Sequence, residues 1–460
     1  MNCKPCSTRD TQKETGYFCI RPWKNLEVRR DGKLDFCCKF PSPLHSGDST
    51  PFRITQHSLD EIWNGVELRG IRRDMLEGLP IRGCEVCYER ESAGYPSDRI
   101  LATGGWREGW LNEGRQTFEQ LSAQAKANDY RVPGPAFIQL SAGNLCNLKC
   151  RMCNGSASSS VAKDPVHGQW SGTCEYPVQH RWWQDRSVLN KIFQHPQLVR
   201  RLQMMGGEPF LIKELGDVLQ YLVDLGVAKN IVLEVNTNGS VKKASWLPLV
   251  EQFKRLDLPV SIDAFGELNR YIRYPCRWDH LARNMEYFKT LPNTELSTAV
   301  VLQAYNALNL VDLFRYFDSA GLPLGYVFPM EHPPYLTTRV LPLKARLLAA
   351  QRLRAYARTD CRAENRPIVI SLADGLEAQA DSFDEDRLVE FMTFTKELDA
   401  SRGQSFEEVC PELHELIKQS GYEWTGATLR KSQKVLQSRI RALAREAVRQ
   451  GWRKLSGKRA

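Results

Sequence analysis

The spacing of apolar residues along the chain changes near residue 136. Beyond that point, short apolar runs alternate with longer helical stretches. Phe137–Leu140, Leu202–Met205, Ile231–Val235, Val260–Ile262, Ser297–Leu302 and Leu324–Phe328 read as strands. Ile212–Leu225 and Trp278–Thr290 are examples of the helices between them. Alternation at this spacing predicts α/β architecture with a parallel sheet. Six strands suit a partial (β/α)6 TIM-like barrel, with function on loops at the strand C-terminal ends.

Before residue 136 the pattern is more broken. Leu26–Arg30 reads as a strand, Asp31-Gly32 as a hairpin turn, and Leu34–Phe36 as the returning strand. Ser58, with Glu61 three residues on, predicts a capped helix start. Leu68, Ile71 and Met75 fit a second helix, and Cys84-Glu85-Val86-Cys87 closes the unit. So small a unit is expected to need a bound metal or cluster. The predicted organisation is a small N-terminal domain over 1–95, a connector over 96–134, an α/β core over 135–335 and a helical C-terminal region over 336–460. The connector is predicted to hold one helix, Gln116–Ala127, and the C-terminal region Leu343–Arg358, Glu385–Leu398, Pro411–Gln419 and Leu429–Leu455.

Composition excludes whole classes of protein. With 42% hydrophobic and 25% charged residues over 460 positions, the chain is neither disordered nor collagen-like. No run of 18 apolar residues predicts a membrane span, and the polar first ten residues predict no secretory leader, so a cytoplasmic location is expected. The net charge of +9 is misleading. Residues 429–460 carry eleven Lys and Arg against one Glu, so the rest of the chain is close to neutral. Nucleic-acid binding by the body is therefore not expected. The tail, with Val435, Leu436, Ile440, Leu443 and Ala447 on one helical face, either packs on the body or serves an acidic partner.

The chain has 14 cysteines, and most of them cluster. In a reducing compartment, clustered cysteines point to metal binding or chemistry. The sharpest group is Cys146-Asn147-Leu148-Lys149-Cys150-Arg151-Met152-Cys153, directly after a predicted strand. Structural zinc takes four protein ligands, but the next cysteine, Cys174, is 21 residues away. Three thiolates on a [4Fe–4S] cluster leave one iron open, the mark of a catalytic metal site.

This Cys-x3-Cys-x2-Cys loop resembles that of the radical S-adenosylmethionine (SAM) enzymes. The resemblance extends over roughly residues 136–335. Met204-Met205-Gly206-Gly207-Glu208-Pro209 follows the second strand, Asn236-Thr237-Asn238-Gly239 the third, and Ser261 to Arg273 spans the end of the fourth and its loop. The resemblance implies that Cys146, Cys150 and Cys153 bind a [4Fe–4S] cluster whose open iron chelates SAM. It further implies that Gly206, Gly207 and Glu208 meet the SAM amino group, Asn238 lines the SAM side, and Ser261 meets the ribose. Arg273 is implied at the carboxylate and Met152 beside the adenine. The implied reaction is reductive cleavage of SAM to a 5′-deoxyadenosyl radical that abstracts hydrogen from substrate. A one-electron reductant such as flavodoxin or ferredoxin is the implied partner, and a peptide the favoured substrate.

A second pattern joins Cys19-Ile20-Arg21-Pro22-Trp23, Cys37-Cys38 and Cys84-x2-Cys87. It resembles the twitch domain, a short relative of the SPASM domain, which carries an auxiliary [4Fe–4S] cluster. The resemblance implies Cys19, Cys37, Cys84 and Cys87 as its ligands, with Cys37 chosen over Cys38 by register. A four-cysteine zinc site is the alternative here. For the whole chain, the alternatives are a small-molecule radical SAM enzyme and a non-catalytic zinc or Fe–S interaction protein with a basic tail. Cys3 and Cys6 stay unassigned. Cys276, Cys361 and Cys410 are expected to be buried small hydrophobes, and His280 and His332 structural. Trp170, Trp182 and Trp183 form either a lid or a packing patch.

Overall fold

The computed structural model describes residues 16–92, 97–171, 181–378 and 383–424. Cys3, Cys6, Cys174 and the basic tail lie outside the described residues.

One eight-stranded sheet organises the chain. Its strands are β1 (Asn25–Val28), β2 (Leu34–Asp35), β3 (Phe137–Ser141), β4 (Arg201–Met205), β5 (Val232–Val235), β6 (Arg255–Ser261), β7 (Thr294–Leu302) and β8 (Leu324–Pro329). The order is β2-β1-β3-β4-β5-β6-β7-β8, with only the β1–β2 pair antiparallel. All six predicted strands after residue 136 are present, and they lie side by side in chain order. The fold is α/β with a mostly parallel sheet.

Each strand has two distinct faces. Ile138, Leu140, Leu202, Met204, Leu233, Val235, Leu256, Leu258 and Val260 are fully buried on one face. That face is covered by helices such as Leu215–Asp224 and Trp278–Phe288, whose own Leu215, Val218, Leu219, Leu222, Leu281 and Met285 are buried. The other face is polar. Glu27, Gln139, Gln203, Glu234 and Asp257 are register neighbours across five strands. Asn25 Nδ2 donates to Gln139 Oε1 at 2.9 Å, Gln139 donates to Gln203, and Gln203 Nε2 donates to Glu234 Oε1 at 2.7 Å. The Tyr326 hydroxyl on β8 lies 3.4 Å from the same Glu234 oxygen. In a flat sheet β5 and β8 stand about 14 Å apart, three strand spacings, so the sheet curls around this polar row. Below it, Arg201 bridges Glu234 and Asp257, and Arg255 bridges Asp257 and Glu295.

The N-terminal residues are built onto this sheet. β1 pairs in parallel with β3, and the buried side chains of residues 18–81 are continuous with the core of the sheet. The capped helix predicted at Ser58 is present, with both arms of its capping box formed. One element of the connector differs from expectation. Asp98–Arg107 is a helix capped by Ser97, although Gly104 and Gly105 weaken its intrinsic propensity. Tertiary contacts hold it: buried Arg99 donates to the carbonyls of Gly16 and Phe18 and pairs with Glu91, and Thr103 Oγ1 accepts from Ile20 N. The helix packs as part of the N-terminal unit. The C-terminal region contains a further helix, Arg366–Ala378, beside those predicted.

Candidate active site

The loops after β3, β4 and β5 are tied to one another. Ala142 N donates to Met205 O at 2.8 Å, and Glu208 N to Leu145 O at 2.7 Å. The Gly206-Gly207 pair passes so close to the cysteine loop that a Cβ at Gly207 would lie 2.1 Å from Leu145 O. One at Gly206 would lie 2.7 Å from Gly143 O. Both glycines also have positive φ, so close approach and conformation each require them.

Glu208 is the knot between loops. It is fully buried, and its carboxylate accepts from Phe210 N (3.0 Å), Thr237 Oγ1 (2.8 Å) and Asn238 N (2.6 Å). Burial pushes its pKa up to about 7 against the pull of these donors. Thus the Glu208 carboxylate fastens the β4 loop to the β5 loop, and it is the backbone of Gly206 and Gly207 that lies against the cysteine loop. Asn238, held this way, turns its amide to Cys146: Nδ2 is 3.8 Å from Cys146 Sγ and 3.1 Å from Asn147 Oδ1.

The cysteine loop lies along a second segment. Lys149 N donates to Tyr274 O (2.6 Å) and Arg151 N to Ile272 O (2.8 Å), which brackets Arg273. Arg273 is buried, its Nε lies 2.8 Å from Asp263 Oδ2, and its charge opposes the upward push on the Cys150 and Cys153 thiols. Burial is the main cause of that push, and the three thiols add to it by mutual repulsion. Cys153 rises to about 11 and Cys150 further. Thiols in such surroundings become thiolates only beside a strong local cation, as a metal centre supplies. Ser261, at the end of β6, donates its N–H to Thr237 O at 2.9 Å, and Met152 is half-buried against the core.

Two functional anchors in this loop had no signal in the sequence. Arg151, between Cys150 and Cys153, is fully buried, 3.6 Å above the Tyr271 ring, and donates to Tyr271 O, Asp399 and Gln404. Asp399 also accepts from the Tyr271 hydroxyl and Phe406 N, each at 2.7 Å. Lys149 pairs with Asp164 at 3.1 Å. The helix Glu385–Arg402 therefore clamps the cysteine loop from 248 residues away.

In the N-terminal unit, Cys19, Cys37 and Cys87 are buried and Cys84 is half-buried. Burial pushes Cys19 and Cys84 up to about 12, and nearby Cys84 and Cys87 add to the effect at Cys19. Cys38 is exposed. Among the described residues no three Cys, His, Asp or Glu side chains converge closely enough to hold a single metal ion.

Residues 19–88 match the SPASM family, an iron–sulfur cluster-binding domain. All four candidate auxiliary ligands fall inside this SPASM-like segment. No curated protein sequence matches the chain. Among solved structures it is similar to native anSMEcpe with bound AdoMet, at 17% identity and TM-score 0.34, over 49% of this chain and 61% of that one. It is also similar to Streptococcus suis SuiB, at 13% identity and TM-score 0.35, over 74% of this chain and 69% of that one. These likenesses are remote, and the chain spans 58–61% of the length of the anSMEcpe structures.

Cys276, Cys361 and Cys410 are buried, as expected. Trp182 and Trp183 are buried, and Trp182 Nε1 donates to the carbonyls of Arg29 and Arg30. This is packing beneath the hairpin turn. Trp170 packs on Tyr335 and Phe394.

His167 gives an acid-sensitive contact beside the site. It is 1% exposed, on the helix Pro165–Ser171, with Nδ1 3.1 Å from Arg402 and its ring edge-on to Phe394. Burial, then the Arg402 charge, lowers its pKa to about 4, although Asp164 opposes this. The unfolded chain binds this proton more readily than the folded one. The contribution of His167 to stability is therefore full above pH 6.5 and falls as pH drops towards 4, by about 2 kcal/mol between pH 6.5 and 5. Glu208, with its raised pKa, titrates with the opposite sign in this window, so the readout is the melting-temperature difference between the parent and His167→Gln, which should move against the parent as pH falls from 6.5 to 5.

Proposed function

We propose that this chain is a radical SAM enzyme with an auxiliary cluster in its SPASM-like segment. The observation that carries the reading is the knot of loops at the C-terminal ends of β3, β4 and β5. In it the cysteine loop, the Gly206-Gly207 backbone and the Asn238 amide meet where parallel α/β sheets do chemistry. We read β3 to β8 as a partial (β/α)6 barrel within a core domain over 135–335. The cluster-bearing unit covers 1–95, the connector 96–134 and the helical region 336–460.

Cys146, Cys150 and Cys153 would hold a [4Fe–4S] cluster. Three thiols in a loop without a fourth fit a cluster that keeps one iron for SAM. When bound, that pair supplies one electron and a 5′-deoxyadenosyl radical. The chain's own residues position and shield. Glu208 fixes the spacing of two loops, so that Gly206 and Gly207 present backbone to the SAM amino group. Asn238 donates to Cys146 Sγ, and such a bond to a ligand sulfur tunes the centre. Arg273, steadied by Asp263, keeps positive charge beside Cys150 for the SAM carboxylate. We assign Ser261 to the ribose and Met152 to the adenine.

The polar row Gln139, Gln203 and Glu234 faces the concave side of the sheet, where barrels ordinarily pack branched aliphatic residues. A substrate rich in amides suits it, so a peptide or peptidyl substrate is our reading. Electrons would come from flavodoxin or ferredoxin in the cytoplasm. Among the described residues, no helix is long and apolar enough to cross a membrane.

The test uses protein purified and reconstituted without oxygen. Iron, sulfide and zinc are assayed per chain, then dithionite and SAM are added. About eight irons with release of 5′-deoxyadenosine is the expected result. Zinc without iron, and intact SAM, would replace this reading with a metal-stapled interaction protein.

A further inference from the structure

We propose that Arg21 is a positioning residue for the auxiliary cluster, directing buried N–H donors and positive charge at its thiolates and so setting its reduction potential. This rests on the reading of Cys19, Cys37, Cys84 and Cys87 as the ligands of that cluster.

Arg21 opens the short helix Arg21–Lys24, two residues after Cys19. Its side chain is only 13% exposed. Two of its nitrogens, Nε and one terminal nitrogen, are fully buried and find no acceptor among the described residues. The other terminal nitrogen reaches Asp98 Oδ1 at 3.7 Å, and Asp98 is shared with Arg90 at the same distance. The groups that most favour its charged form are Cys37 and Cys38, ahead of Asp98, with Cys19 following. This guanidinium is thus tied by sequence to Cys19 and, through the shared Asp98, to Arg90, three residues after Cys87, and its carboxylate partner is distant and divided.

A buried guanidinium with unmade hydrogen bonds is costly. The fold tolerates one here, at the first turn after a candidate ligand. A cluster carrying four thiolates is an anion whose sulfurs accept hydrogen bonds, and it answers both the charge and the orphaned donors. Fit to an anionic Fe–S centre is therefore read from the chain itself. On reduction such a cluster gains one negative charge. Nearby cations and N–H···S bonds stabilise the reduced form more than the oxidised one, which raises the potential.

The experiment uses the full chain, reconstituted anaerobically, in a Cys146→Ala/Cys150→Ala/Cys153→Ala background that silences the core cluster. Reduction of the remaining cluster is followed by EPR at poised potentials. Arg21→Met should retain iron yet lower the reduced-to-oxidised ratio at a fixed potential at least tenfold, equivalent to about 59 mV for one electron. Arg21→Gln, which keeps donors without charge, should shift it less in the same direction. Iron-loaded variants with the parent potential would overturn the proposal. So would loss of iron from both variants, because Arg21 would then be structural only. Failure of the underlying reading looks different: the parent itself would hold zinc, or no iron, before Arg21 is changed.

Discussion

Cys150→Ala is expected to abolish SAM-dependent release of 5′-deoxyadenosine, down to the background without protein, while leaving the N-terminal iron in place. Iron per chain should fall from about eight to about four. The separation follows from geometry. Cys150 lies between Lys149 and Arg151, whose backbone N–H groups donate to Tyr274 and Ile272, and Ser158 Oγ donates to Leu148 O at 2.7 Å. Those bonds do not involve the thiol, so the loop keeps its path when the sulfur is removed. What is lost is one of the three ligands assigned to the centre. The N-terminal thiols belong to a different segment, the SPASM-like residues 19–88. Cleavage of SAM that survives Cys150→Ala unchanged would remove the active-site assignment.

The second large effect is structural in origin. Arg151→Met is expected to destabilise the chain by about 3–5 kcal/mol, since it leaves the Asp399 carboxylate buried without its cation. It should also lower iron loading at the core site selectively. Arg151→Lys should fall between Met and the parent. A lysine can approach Asp399, but one ammonium cannot serve Tyr271 O, Asp399 and Gln404 as the guanidinium does. Urea unfolding and site-specific iron content read the two effects. If Arg151→Met matches the parent in both, the C-terminal helix does not clamp the loop.

These two residues sit one position apart and differ in how legible they are. Cys150 belongs to a spaced set of soft ligands, and spacing is visible in a sequence. Arg151 looks like an ordinary surface charge within the same motif. Its partner Asp399 lies on the helix Glu385–Arg402, with nothing local to connect them. Glu208 is an intermediate case. Its motif is readable, but the three donors that occupy its carboxylate come from its own turn and from the next strand's loop. Helix Asp98–Arg107 was hidden for another reason, because its stability comes from contacts made by Arg99 and Thr103 and not from propensity.

The sequence alone determined what depends on short spacing and periodicity. Six parallel strands, the capped helix after Ser58, both cysteine groups and the glycine pair before Glu208 all follow from local chemistry. Tertiary structure decided what depends on distant segments meeting. It added β1 to the edge of the parallel sheet through β3, curled that sheet until Tyr326 reached Glu234, and set Arg151 against Asp399. It also buried Arg21 with two donors that find no acceptor among the described residues. Local patterns fix which face of an element seeks burial. Only the closed packing of the whole chain fixes which charges are left to share that interior.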